Sequence, residues 1–268
     1  MANGAELTLS PLRLIARSSL RSFDHVGRFS ILLADMFRGL AEWRIWMPRT
    51  LEQATAVGYG SLFIVLLVAG FAGAVTSLQT GYQFTGTLPL YYAGAVISES
   101  MILELGPVLT ALILAGRIGA RYAAELGSMR VTEQIDALRT LATHPVDYLV
   151  VPRLLAAHLV MPILTLEAIT LGIGAGYAVG VGFYGIDPAY LWYNMIKYCT
   201  NEDVVMGLIK AFIYGGIVAI IGCYKGMSCG EGAEGVGHAT TEAVVYSSIA
   251  ILITNFFLTL TINQIRSL

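Results

Sequence analysis

No charged residue stands between Glu52 and Glu99, and a second charge-free run fills Ala243–Ile265. About 20 predominantly apolar residues cross the hydrocarbon core of a bilayer as a helix. The pattern therefore predicts spans at Ala54–Leu78, Ala95–Gly116, Leu154–Val181 and Val204–Tyr224, with a fifth inside the second charge-free run. Between them lie a turn at Thr80–Tyr92, a polar connector Arg117–Arg153, a polar and aromatic segment Tyr184–Asp203 with a short helix from Pro188, and a glycine-rich loop Lys225–His238.

Ahead of the first span, Phe29, Leu33, Met36, Phe37, Leu40, Trp43 and Met47 recur at three- and four-residue steps, with Asp35, Arg38 and Glu42 between them. That period predicts an amphipathic helix over 23–47 lying in the membrane interface, with Trp43 and Trp46 at headgroup level. Residues 1–22 read as a basic tail. Arg13, Arg17 and Arg21 are not followed by an apolar run and a small-residue cleavage site, so no secretory signal is expected.

Within the connector, Val131, Ile135, Leu138 and Ala142 fall on one helical face and Glu133, Gln134, Asp136 and Arg139 surround it. Ser128 or Thr132 is placed to cap the start, and Pro145 ends the helix. So short a helix is marginal alone in water. It packs either on its own bundle or in the groove of a partner.

Composition agrees with the pattern: 56% of the 268 residues are hydrophobic, 13% are charged, and the mean hydropathy is +0.70. Soluble domains carry about 25% charged residues. The fold class expected is all-α integral membrane, one membrane domain with a five-span bundle over 54–265. Arg13, Arg17, Arg21, Arg28, Arg38, Arg44 and Arg49 precede the first span, and Arg117, Arg121, Arg130, Arg139 and Arg153 lie in the connector. Basic residues stay on the cytoplasmic side, so the N-terminus is expected inside and the C-terminus outside.

Carboxylates at membrane depth are expensive and mark a substrate path or a buried polar contact. Glu99 and Glu104 both qualify, and Pro107 favours a kink beside Glu104. Glu167 is a third, with Lys210 as a possible partner. Gln79, Tyr82 and Gln83 close the first span, as a cavity rim or, more simply, as snorkelling interface residues. Gly172, Gly176 and Gly180 form a small-residue stripe that serves packing within the subunit or across a dimer. Three cysteines and four histidines show no metal spacing, no G-x-x-x-x-G-K-[ST] phosphate loop occurs, and an enzymatic reading finds no support.

ELGPVLTALILAGRIGARYAAELGSMRVTEQIDAL, THPVDYLVVPRLLA and GEGAEGVGHATTEAVV resemble the MlaE/YrbE permeases over roughly residues 25–265. The resemblance implies the membrane subunit of an ABC-type phospholipid transporter, a homodimer in the bacterial inner membrane or a chloroplast envelope. It implies a separate cytoplasmic ATPase that carries ATP and Mg, a hexameric MCE lipid-binding protein on the periplasmic side, often a small STAS-domain protein, and no nucleic acid. No cofactor is expected in this chain. Carried onto this sequence, Thr132, Glu133, Gln134, Asp136, Ala137, Leu138 and Arg139 become the ATPase-coupling helix. Leu78, Gln79, Tyr82, Glu99 and Glu104 become the mouth of the lipid cavity. Other classes left open are an ion-coupled secondary transporter working through Glu99, Glu104 or Glu167, and a membrane anchor that would tolerate loss of all three.

Overall fold

The computed structural model describes residues 27, 29–40, 43–84, 86 and 89–266, and these are almost entirely helical. The expected tail 1–22 and the start of the interfacial helix lie outside the described residues. Among the described residues eight helices follow in order: α1 (residues 29–39), α2 (Trp43–Phe84), α3 (Leu90–Val131), α4 (Gln134–Thr140), α5 (Val146–Gly182), α6 (Pro188–Lys197), α7 (Asn201–Met227) and α8 (Gly232–Arg266). Five of these, α2, α3, α5, α7 and α8, are long and apolar enough to cross a membrane. They alternate in direction, so α1 and α4 share one end of the bundle and α6 lies at the other.

The expected single helix over 23–47 is two pieces. α1 stops near Leu40, and Trp43, Trp46 and Met47 instead open α2. The Trp46 indole N–H donates to the Leu40 carbonyl at 3.2 Å, which supplies a partner to the end of α1. Gly39 sets where α1 lands, because a Cβ there would overlap the Asp147 carboxylate at the start of α5.

α3 is the central element and touches each of the other four spans. It extends well past the expected boundary at Gly116, to Val131, so the first part of the anticipated connector is helix continuing out of the bundle. Two π-helical turns, Met101–Leu105 and Ala115–Gly119, interrupt it. α2 and α8 form the outer walls: only 28% and 17% of their apolar windows are buried, against 67% for α5. On α2 the outward stripe is Tyr59, Phe63, Leu67, Phe71, Val75, Leu78 and Tyr82, at steps of three and four.

α2 packs most extensively on α5. The stripe Gly172, Gly176, Gly180 faces Ala69, Gly73 and Ser77 of α2, and a Cβ on Gly73 would overlap the Gly172 carbonyl. The glycine stripe thus serves packing inside the subunit, where small residues let two backbones meet closely.

The short elements carry the caps that their sequences offer. Asp187 accepts from the Ala189 and Tyr190 amides at 2.9 and 3.1 Å, with Pro188 at the first helical position of α6. Thr200 and Asp203 form a reciprocal capping box at the start of α7. The expected loop Lys225–His238 is shorter: α7 runs to Met227 and α8 begins at Gly232, whose φ of +72° closes the turn.

Gly73→Ala is expected to lower the thermal unfolding temperature of the detergent-purified protein, at a cost of about 1–3 kcal/mol from overpacking. Gly174→Ala, on α5 with open space around it, should leave that temperature unchanged or raise it.

Candidate functional site

α7 meets α3 at Gly207, where a Cβ would overlap the Ile102 carbonyl. One turn later this close approach brings Lys210 against the π-helical turn of α3. Pro107 has no N–H to give to the carbonyl four residues back, that of Leu103. Lys210 Nζ donates to that carbonyl at 2.9 Å, to Glu104 Oε1 at 2.6 Å and to Thr259 Oγ1 of α8 at 2.8 Å. An ammonium has three N–H bonds, and all three are used.

The remaining atoms of this polar node are equally matched. Asn255 Nδ2 donates to Glu104 Oε2 at 2.9 Å, Thr259 Oγ1 to Glu104 Oε1 at 2.8 Å, and the Tyr214 hydroxyl to Asn255 Oδ1 at 2.7 Å. Lys210 is 1% exposed while Glu104 is 38% exposed, so only the carboxylate keeps an open edge. The node ties α3, α7 and α8 together with charges that neutralise each other, and Lys210 has no N–H left for an anionic ligand.

The anticipated pairing of Lys210 with Glu167 is therefore corrected: Lys210 serves Glu104, and one Glu167 carboxylate oxygen is buried with no hydrogen-bond partner among the described residues. Tyr214, Asn255 and Thr259 are the residues that reading missed. Their signal was present as polar pairs four apart, Lys210 with Tyr214 and Asn255 with Thr259, each pair on one helical face.

The other residues expected at the cavity mouth are not joined to this node. Leu78, Gln79 and Tyr82 are exposed at the α6 end of α2, with the Leu78 carbonyl accepting from the Tyr184 hydroxyl at 2.7 Å. Glu99 is exposed on α3, beside buried Ser98, whose hydroxyl donates to the Gly94 and Met195 carbonyls. Leu78, Tyr82 and Glu99 share one end of the bundle, and Glu104 lies deeper.

At the opposite end the coupling segment differs from its expected form. Thr132 closes α3 as its C-cap, with its hydroxyl donating to the Ser128 carbonyl at 2.8 Å, so neither residue caps the next helix. Glu133 adopts a left-handed backbone, φ 58°, which breaks the chain direction before α4. Val131 consequently lies outside α4, and Ala142, also left-handed at φ 56°, ends the turn after it. Ile135 is the buried anchor and Leu138 packs partly against the core.

Everything else on α4 faces outward: Gln134, Asp136, Ala137 and Arg139 are exposed, as are Thr132 and Glu133 before it. Asp136 and Arg139 pair at 2.8 Å. Together with Arg130 and Glu231 they line a polar cleft of about 700 Å³ between α4 and the α7–α8 turn. Arg130 donates to the Met227 carbonyl across this cleft. Cys229, also on its wall, has its thiol pushed above the ordinary value by burial, so it is protonated at neutral pH. Among the described residues no cluster of His, Cys, Asp and Glu is arranged to hold a metal ion.

The family model for the permease MlaE matches residues 50–261. A probable ABC transporter permease of Synechocystis is 43% identical over 88% of this chain and 90% of its own. A probable ABC transporter permease of Rickettsia prowazekii is 41% identical over 94% of this chain and 98% of its own. The intermembrane phospholipid transport system permease protein MlaE of Haemophilus influenzae is 35% identical over 88% and 91%.

Lys210→Met alone should destabilise the bundle by about 3–5 kcal/mol, because it leaves the Glu104 carboxylate unpaired. The double variant Lys210→Met with Glu104→Gln should recover most of that loss in thermal unfolding. Equal destabilisation by the single and double variants would show that the pair does not hold the three helices together.

Proposed function

This chain belongs to the MlaE permease family, a multi-pass membrane protein and the permease subunit of an ABC transporter, and from that premise we propose that it moves phospholipid between the bacterial inner membrane and periplasmic MCE proteins. The observation that carries the proposal is α4. A seven-residue helix is anchored by one buried side chain, Ile135, and turns its charged residues to water at the end of the central span. A peg of this kind suits docking into a soluble subunit.

In this reading the α4 end is cytoplasmic, as the basic residues around it favour, and the C-terminus is periplasmic. A separate ATPase binds ATP and Mg and holds α4 in a groove. Closure of two ATPase subunits pushes α4, and α3 carries the displacement up the middle of the bundle. Two copies of the chain place their outer α2 stripes around a shared cavity. Phe63, Phe71 and Val75 supply an apolar wall for the acyl chains. Gln79, Tyr82, Glu99 and the open edge of Glu104 offer the polar contacts for the headgroup. A hexameric MCE protein would receive or deliver lipid at the α6 end, and a STAS-domain protein would sit with the ATPase.

The ion-coupled alternative needs a carboxylate free to cycle its proton. The complete pairing of Glu104 with Lys210, Asn255 and Thr259 weighs against that carboxylate in the role.

Glu133→Lys and Asp136→Lys should leave the protein inserted and folded, since both side chains are exposed and the Asp136–Arg139 pair is a surface one of small worth. Lipid transport by the reconstituted complex should fall by about tenfold or more, as a reversed charge at a docking surface costs over 1.4 kcal/mol. Normal transport in both variants would remove α4 from the coupling role.

A further inference from the structure

Beneath α1, at the α4 end of the bundle, lies a groove of about 520 Å³. Its walls include Phe37 of α1, Trp46 of α2, Leu155 and Leu159 of α5, and Phe212 of α7. Three polar side chains also line it, and each turns its proton away into the backbone. The Trp46 indole donates to the Leu40 carbonyl at 3.2 Å, the Thr50 hydroxyl to the Trp46 carbonyl at 2.8 Å, and His158 Nδ1 to the Leu154 carbonyl at 2.9 Å. What remains toward the groove is hydrocarbon and ring. The imidazole of His158 stands edge-on to Phe212 with centroids 4.4 Å apart. A Cβ on Gly216 would come within 2.7 Å of His158 Nε2, so the glycine leaves the room in which that ring lies.

The groove is open as well as apolar: Phe37 is 74% exposed and Leu159 is 55% exposed. Its volume falls in the range of ligand sites, about 300–1,000 Å³. The three polar side chains each spend an N–H or O–H on a backbone carbonyl, so the surface left to a ligand is mostly apolar. A spanning helix of a partner needs an apolar face about 30 Å long. The walls here run from Leu154 to Leu159 on α5 and from Phe212 to Ile220 on α7, rises of about 8 and 12 Å. A thin, flexible hydrocarbon chain fits that length. Charges of both signs stand nearby: Arg38 is exposed on α1 and the Arg49 guanidinium of α2 lies 3.4 Å over the Tyr148 ring, with Asp35 on α1 and Glu52 on α2 beside them. Trp43 and Trp46 on the same segment mark headgroup depth.

We propose that this groove is a resident lipid site that takes one acyl chain of a phospholipid from the leaflet at the α4 end. The bound chain fills the space between α1 and the bundle and fastens α1 to α5 and α7. The site shares no residue with the cavity mouth at Leu78, Tyr82, Glu99 and Glu104 and lies in the opposite leaflet. It holds lipid without passing it on.

The test uses the full chain in nanodiscs of phosphatidylethanolamine and phosphatidylglycerol. A trace of the phosphatidylglycerol carries a diazirine near the end of one acyl chain. After illumination, adducts are mapped by peptide mass spectrometry. Adducts on residues 33–40 and 154–159 should exceed those on the outward α8 residues Leu252 and Phe256 severalfold. Leu155→Trp should remove the groove adducts and leave α8 labelling unchanged, and Leu159→Trp, at a more exposed position, gives the same test if the first variant folds poorly. Groove labelling no stronger than α8 labelling, or adducts that persist in both folded variants, would overturn the proposal. So would a peptide of a copurifying membrane protein crosslinked in the lipid's place.

Discussion

Lys210 is a cation inside an apolar bundle, and the way it is neutralised constrains the helices around it. In lipid each buried polar group must find its partner within the protein. Lys210 meets that demand by contacting α3 twice, at Glu104 and at the Leu103 carbonyl, and α8 once, at Thr259. The backbone is adapted to the contact: Gly207 brings α7 in, Pro107 frees the Leu103 carbonyl, and the π-helical turn offers it. Removing any one of these leaves an unpaired group in a medium of low dielectric. The node thus fixes how α3, α7 and α8 sit together near mid-membrane, while the α2–α5 contact is fixed separately by small residues.

The same central helix that carries Glu104 ends at the exposed peg. From Glu104 to Val131 α3 rises about 40 Å, in contact with every other span. Glu133 then reverses the chain with a left-handed residue, so α4 is a separate lever on the end of a rod. α4 joins α3 through Thr132 and Glu133 alone, and the polar node lies on that same long helix. The π-helical turns at Met101–Leu105 and Ala115–Gly119 are the two places where the rod is loosened, as such turns often are where function needs give.

Much of this was legible in the chain because a bilayer imposes length and polarity together. The five spans followed from long apolar stretches, two of them free of charge, the start of α6 from Pro188, and the short exposed helix α4 from one apolar face with charges around it. Three features were not legible, each for a physical reason. Glycine was read as loop in GEGAEGVGH, yet only Gly232 needs a positive φ, and the rest of the run continues as helix. The partner of Lys210 is 106 residues away, a separation at which composition and period carry no information. The break at Glu133 places a non-glycine residue in a left-handed conformation that its own chemistry does not announce.

The most direct test of the account places a photo-crosslinking amino acid at Ala137, on the outward face of α4, and at Tyr193, on exposed α6, in cells that express the whole transport system. The account predicts a covalent adduct between Ala137 and a nucleotide-binding ATPase subunit, identified by mass spectrometry, with no such adduct from Tyr193. An Ala137 position that remains accessible to a soluble maleimide yet captures no ATPase, or that captures it no better than Tyr193, would contradict the claim that this permease is driven through α4.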